Sequence, residues 1–274
     1  MKNIFSAFLL ALTAASLSVH AAARPVPQPS PALQLFCAKG ALDVVEKIGP
    51  VYEETFGRKL VSHVAPARGN DATTIPSRLA EGERADVFLL DRMAISKLQQ
   101  QGHIDPDSCA DFGKSYIALA VPHGQSHPAM TSMEEFKQIL LDAKSIAYSE
   151  SASGLYLENV LFNLMGIKER IAPKLKRITN ESVGDAIARG EAEIGLEQVS
   201  ELSPLQGVDI VGLIPDQAQK MTLYTACMAP DTPHPEEARQ FIKYISSNAS
   251  FELIKASGLQ PLVDPDYELH FKKG

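Results

Sequence analysis

Twice in this chain a short apolar run with strand character passes through a turn of small or polar residues into a run of helical period. That arrangement restricts the fold more than any other feature of the sequence. The first unit is the strand 32–37, the turn Ala38-Lys39-Gly40, and a helix from Ala41 in which Leu42, Val45, Ile48 and Val51 share one face. The second is the strand 144–148, the turn Ser149-Glu150-Ser151-Ala152-Ser153-Gly154, and a helix over 156–165. A helix that starts at such a turn leaves its first N–H groups without partners and presents the positive end of its dipole. Two such turns facing each other form an anion seat built from two sides.

The alternation continues along the rest of the chain. Residues 60–64 form a strand, and the polar loop Pro66-Ala67-Arg68-Gly69-Asn70-Asp71-Ala72-Thr73-Thr74 opens a short helix over 75–81. Residues 85–90 suit a buried strand, and Asp91 caps a helix over 92–101. A strand over 115–121 ends at Pro122, and a helix follows at 133–141. Residues 175–179 lead into Asn180-Glu181-Ser182-Val183, which caps a helix to Arg189 with Gly190 as its stop. The strand 193–196 delivers Glu197 and Gln198 at its end. Strands 210–214 and 221–228 come next, and helices over 235–248 and 250–257 close the chain. Strands alternating with helices predict an α/β fold around mostly parallel sheets, with ligand at the carboxyl ends of the strands.

The N-terminus carries a targeting pattern. Lys2 precedes an almost wholly apolar or small run over 4–19, and Ala21-Ala22-Ala23 supplies a cleavage site, so 1–23 is expected to be a signal peptide. Pro25, Pro27, Pro29 and Pro31 make 24–31 an extended, proline-rich arm. No later window holds the roughly 18 apolar residues that span a bilayer, so membrane insertion is not expected. The chain has 33 acidic against 26 basic residues and a formal net charge of -7, which disfavours nucleic acid and anionic membranes as partners. Cys37, Cys109 and Cys227 stand in no metal spacing, and either one disulfide with one free thiol or three buried thiols fits them. His123 and His127 are four apart, but Pro122, Gly124 and Pro128 exclude a regular helix there, so no metal site is expected.

Three stretches carry a likeness. They are Leu35-Phe36-Cys37-Ala38-Lys39-Gly40-Ala41-Leu42-Asp43, Arg78-Leu79-Ala80-Glu81-Gly82-Glu83-Arg84-Ala85-Asp86-Val87-Phe88, and Ser153-Gly154-Leu155-Tyr156. With Ile194-Gly195-Leu196 and 251–258, they resemble the periplasmic molybdate-binding protein family, the solute receptors of ABC importers. The resemblance implies a type II periplasmic binding protein fold, two α/β lobes joined by two crossing strands with ligand in the cleft between them. It places lobe 1 at 32–114 plus 225–274, lobe 2 at 115–224, and the crossings near Ser115 and Thr225. Closure would be by hinge bending. It also implies the periplasm, a small anionic ligand, an ABC permease as partner, a monomer and no cofactor.

The ligand-contacting positions depart from the family pattern. A serine is usual at the first turn, where this chain has Gly40 preceded by Lys39. The second contact falls in the loop of Arg68 and Thr73, and the usual tyrosine position falls on Gln198, beside Glu197. The resemblance carries second-lobe contacts onto Ser153 and Val183, and Ser151 and Tyr156, at the serine-rich turn and the helix after it, are further ligand-binding candidates. Lys39 and Arg68 add cations suited to carboxylates, so a di- or tricarboxylate is expected rather than molybdate. The chain is also similar to the aconitate isomerase type of periplasmic enzyme, an outgrowth of this fold that interconverts cis- and trans-aconitate by an allylic proton shift without a cofactor. That chemistry needs cations on the carboxylates and one group that removes and returns a proton. Glu197 and Lys39 head the candidates, with Glu150 and Tyr156 also open. Receptor and isomerase both remain compatible with the sequence.

Overall fold

The computed structural model describes residues 31–69, 71–179 and 181–262. The expected signal peptide 1–23, the arm up to residue 30, Asn70, Asn180 and the tail from 263 lie outside the described residues. The first part of the chain carries β1 (Leu33–Cys37), α1 (Leu42–Phe56), β2 (Leu60–Val64), α2 (Ile75–Ala80), β3 (Val87–Asp91), α3 (Arg92–Gln100) and β4 (Ala110–Ser115). The middle carries β5 (Ile117–Pro122), α4 (Met133–Asp142), β6 (Ile146–Ser149), α5 (Ala152–Tyr156) and β7 (Leu175–Ile178). It continues with α6 (Val183–Ala188), β8 (Ile194–Gln198), α7 (Val199–Leu202) and β9 (Val208–Leu213). The chain then returns through β10 (Thr222–Met228), α8 (Pro235–Ile245), α9 (Phe251–Ala256) and β11 (Gln260–Pro261).

These strands form two sheets, ordered β11-β4-β10-β3-β1-β2 and β7-β6-β8-β5-β9. Strand alternation decides which helices cover which face. In β1, Leu33, Leu35 and Cys37 pack with α1 and α8, while Phe36 faces α2 and α3 on the other side. In β5, Ile117, Leu119 and Val121 face α4, whereas Ala118 and Ala120 face α6. Small residues on that second face let α6 approach closely. A Cβ on Gly195 would stand 2.6 Å from Val183 Cγ1.

Three expectations are corrected. The sheets are mixed rather than mostly parallel: β1 pairs parallel with β2 and β3, but β10 runs antiparallel to β3 and β4, and β5 antiparallel to β8 and β9. The antiparallel strands are those that connect the two sheets without a helical crossover, which parallel pairing would require. The single strand expected at 115–121 is two, because Ser115 pairs with Thr222 in one sheet and Ile117 with Gln198 in the other. The chain thus changes sheets at Tyr116, and it returns between Leu213 and Thr222, so Thr222, Leu223 and Tyr224 pair in the first sheet. Finally, the helix expected from Tyr156 begins at Ala152 and includes a π turn over Leu157–Leu161.

Cys109 and Cys227 form a disulfide with a sequence separation of 118, and Cys37 is buried as a free thiol. The bridge joins the entry to β4 with β10, its neighbour in the sheet. Replacing both cysteines by serine is expected to lower stability by about 2–5 kcal/mol. Urea unfolding checks this, and a midpoint equal to that of the oxidised protein contradicts it.

Candidate functional site

Glu197 and Gln198 end β8, opposite Ala118 and Ile117, the first residues after the chain has crossed between sheets. This places them at the base of the seam between the two halves. Glu197 is fully buried. Its Oε1 accepts from Ser149 Oγ at 3.1 Å and from the Gln198 N–H at 3.2 Å, while Oε2 has no partner. Gln198 donates through Nε2 to Thr222 Oγ1 at 3.0 Å, and its Oε1 is unpaired. The buried Ser200 hydroxyl is unpaired too. Buried polar atoms ordinarily find partners. Among the described residues four buried side-chain atoms do not, and three of these belong to Glu197, Gln198 and Ser200.

The serine-rich turn meets this carboxyl directly. Ser149 Oγ lies 2.7 Å from Ser151 Oγ, which lies 2.8 Å from Ser153 Oγ, so a row of hydroxyls runs beside Glu197, and both its ends, Ser149 and Ser153, lower the proton affinity of that carboxyl. The turn can fold this tightly because residue 154 is glycine. A Cβ there would lie 1.7 Å from the Ser149 carbonyl oxygen.

Burial pushes Glu197 up to about 7 against the lowering effects of the Gln198 N–H, the Ser149 hydroxyl and the Lys39 charge. Glu201, one turn further on in α7, is also buried, and burial followed by the Glu197 charge raises it well above the usual carboxylate range. Both carboxyls are therefore harder to ionise than exposed ones, and each opposes ionisation of the other.

The other expected residues divide into two groups. Lys39 is exposed on a 3-10 turn over Lys39–Ala41 that runs into α1, near enough for its charge to lower both carboxyls. Gly40 follows it, and a Cβ there would stand 1.9 Å from the Tyr224 hydroxyl. Arg68 pairs with Asp91, whose carboxylate also caps α3 by accepting from the Met93 and Ala94 N–H groups at 3.1 Å. Ser151 and Ser153 belong to the hydroxyl row.

Thr73, Tyr156 and Val183 offer less than expected. Thr73 bonds Asp71 through both its N–H and its hydroxyl. Tyr156 donates to the Ala218 carbonyl at 3.1 Å, under the Lys220 ammonium, and so braces the returning connection. The Val183 side chain is core, leaving only its backbone at a helix start capped by Ser182. Glu150 is half-exposed and pairs with Arg177 at 3.4 Å. His123 and His127 both turn to Asp209, and among the described residues no group of three or more His, Cys, Asp or Glu is placed to hold a metal ion. No described helix is long and apolar enough to cross a membrane.

Ser200, Glu201 and Tyr224 were not singled out by sequence, and Ser149 entered only as the first residue of the serine-rich turn. Glu201 stands four residues after Glu197, a spacing that offered the one available signal.

The model of the bacterial extracellular solute-binding protein family matches residues 33–260. An aconitate isomerase from Pseudomonas sp. is 43% identical over 235 residues, covering 86% of this chain and 90% of that protein. The periplasmic molybdate-binding protein of Azotobacter vinelandii is 18% identical with a TM-score of 0.68, covering 85% of this chain and 99% of that one. A periplasmic binding protein from Actinobacillus pleuropneumoniae with fructose-6-phosphate bound is 13% identical with a TM-score of 0.63, covering 84% of each chain. These likenesses establish the type II periplasmic binding protein fold.

Glu197 also makes stability depend on pH. Its folded value of about 7 exceeds the ordinary 4.5, so between those values the unfolded chain binds fewer protons than the folded one. Its contribution is complete below about 4.5 and is lost as pH rises to about 7. Urea midpoints should fall across that interval, and Glu197→Gln should flatten the fall. An equally steep fall in the variant would assign it to other groups.

Proposed function

The chain belongs to the bacterial extracellular solute-binding protein family, and from that premise we propose that it is a periplasmic isomerase that interconverts cis- and trans-aconitate. The observation that carries this reading is Glu197, a buried carboxyl with one oxygen held and the other free, and a proton affinity near neutral. A receptor that only holds a polyanion gains nothing from a buried carboxyl at the base of its cleft, since the two charges repel. An enzyme that moves a proton needs such a group. The 43% identity to an aconitate isomerase supports the same reading.

In the proposed reaction Glu197 Oε2 takes a proton from the substrate methylene. The C–H electron pair spreads over the three-carbon allylic unit and into the attached carboxylate. The proton then returns to the far carbon of the unit, and the new double bond, formed between the former methylene and the central carbon, takes the geometry set by the conformation about that bond when the first proton leaves. The double bond has then moved and its geometry has changed, with no net gain or loss of atoms or electrons. Lys39 and the hydroxyls of Ser151 and Ser153 would hold carboxylates, and Arg68, anchored by Asp91, would present its remaining N–H groups to another.

The second reading is a receptor that delivers a di- or tricarboxylate to an ABC permease. It is favoured by the two-sheet fold, which this chain shares with binding proteins. Incubating the purified protein with trans-aconitate and following cis-aconitate by chromatography separates the two. Turnover is expected, with Glu197→Gln slower by about 10²–10⁴-fold. Tight binding without turnover would leave the receptor reading, and binding of molybdate with no response to tricarboxylates would overturn both.

A further inference from the structure

Tyr224 has no place in the scheme so far, yet it lies at the centre of the site. It sits on β10, paired across the ladder with Asp91, the residue that holds Arg68. Its side chain is buried and reaches the turn that starts α1. There its hydroxyl fills the space that a side chain at position 40 would need. A Cβ on Gly40 would lie 1.9 Å from the hydroxyl oxygen, 2.9 Å from the ring carbon bearing it, and 3.2 Å from Ser200 Oγ. Two hydroxyls, one from each half of the molecule, thus converge on one backbone position. Ser200 is 2% exposed, and its hydroxyl stands close enough to the Tyr224 phenol to lower its proton affinity yet completes no hydrogen bond of ordinary geometry, so the convergence leaves donor capacity in the interior.

We infer that the Tyr224 hydroxyl, admitted by the missing side chain of Gly40, acts with Ser200 as a donor pair for the substrate carboxylate on which charge collects as the allylic proton leaves. This rests on the isomerase reading above. A tyrosine present only to fill the notch would need no hydroxyl, and a serine present only to pack would not be left unpaired beside it. The donor must also keep its proton at working pH. Burial, and then the negative charge of Glu201, hold the Tyr224 phenol well above its ordinary range, so it remains O–H. A neutral donor can bind a carboxylate in a region that already contains Glu197 and Glu201, and it strengthens as that carboxylate gains charge.

The test is the rate of aconitate interconversion in Tyr224→Phe, Gly40→Ala and Ser200→Ala, each checked for an unchanged thermal midpoint. Removing one such donor is expected to lower kcat by about 10²–10³-fold with a smaller change in KM. Gly40→Ala should match Tyr224→Phe because the added Cβ displaces the hydroxyl, and the double variant should be no slower than either single one. Ser200→Ala takes away a hydroxyl with no partner, so it reports on the pair even where Tyr224→Phe unfolds. Full kcat in Tyr224→Phe or Ser200→Ala, or multiplying losses in the double variant, overturns the inference while wild-type turnover stands. A wild type without turnover overturns the isomerase reading and this inference with it.

Discussion

A carboxyl group withdrawn from water is tolerated when its charge is matched or its proton is kept, and much of this structure is arranged around one such group. Glu197 has a single well-held oxygen, supplied with N–H and O–H donors by its own strand end and by a turn from β6. Its other oxygen has none. Burial sets the proton affinity, Lys39 and Glu201 belong to the same electrostatic unit, and Gln198 and Ser200, close by in the chain, each keep an unpaired buried polar atom as well. A fully satisfied carboxylate would be inert, and a fully apolar site would have no means of taking up a proton.

The framework that carries this group recurs in proteins with different ligands. Proteins of similar fold include a molybdate-binding protein and a binding protein with fructose-6-phosphate bound, at 18% and 13% identity. Sheet order and lobe topology therefore say little about what occupies the seam. Side chains at strand ends and helix starts say more. In this chain the first turn lacks a side chain at Gly40 and borrows a hydroxyl from β10, while the second-half strand ends in Glu-Gln.

Much of the fold was legible in the amino-acid pattern because apolar alternation and helical period are local. The strands around Phe36, Phe88 and Tyr148 and the helices on Asp91 and Ser182 follow from residues close by in the chain. The break at Tyr116 did not, because 115–121 reads as one strand and only its partners, Thr222 on one side and Gln198 on the other, divide it. The site was legible to the same extent. Lys39, Glu197 and the serine turn stand out as residue types, whereas Tyr224 sits in an ordinary apolar strand and matters through its contact with Gly40, far away in sequence. Tyr156 misled for the opposite reason: it adjoins the serine turn in sequence but spends its hydroxyl on Ala218.

The crossing at Tyr116 has a mechanical consequence. Its carbonyl accepts the Val199 N–H at 2.9 Å, Ser115 Oγ accepts the Ser200 N–H at 3.3 Å, and Gln198 reaches Thr222 on the returning strand. The segment bearing Glu197 is therefore tied to both connections between the sheets, whereas Lys39 and Arg68 belong to the half built on the first sheet and the serine turn to the half built on the second. When two arms swing, points near the fulcrum travel least. Were the two halves to swing as the family resemblance implies, the group proposed to carry the proton would keep its surroundings, and gripping and releasing would fall to the residues farther out.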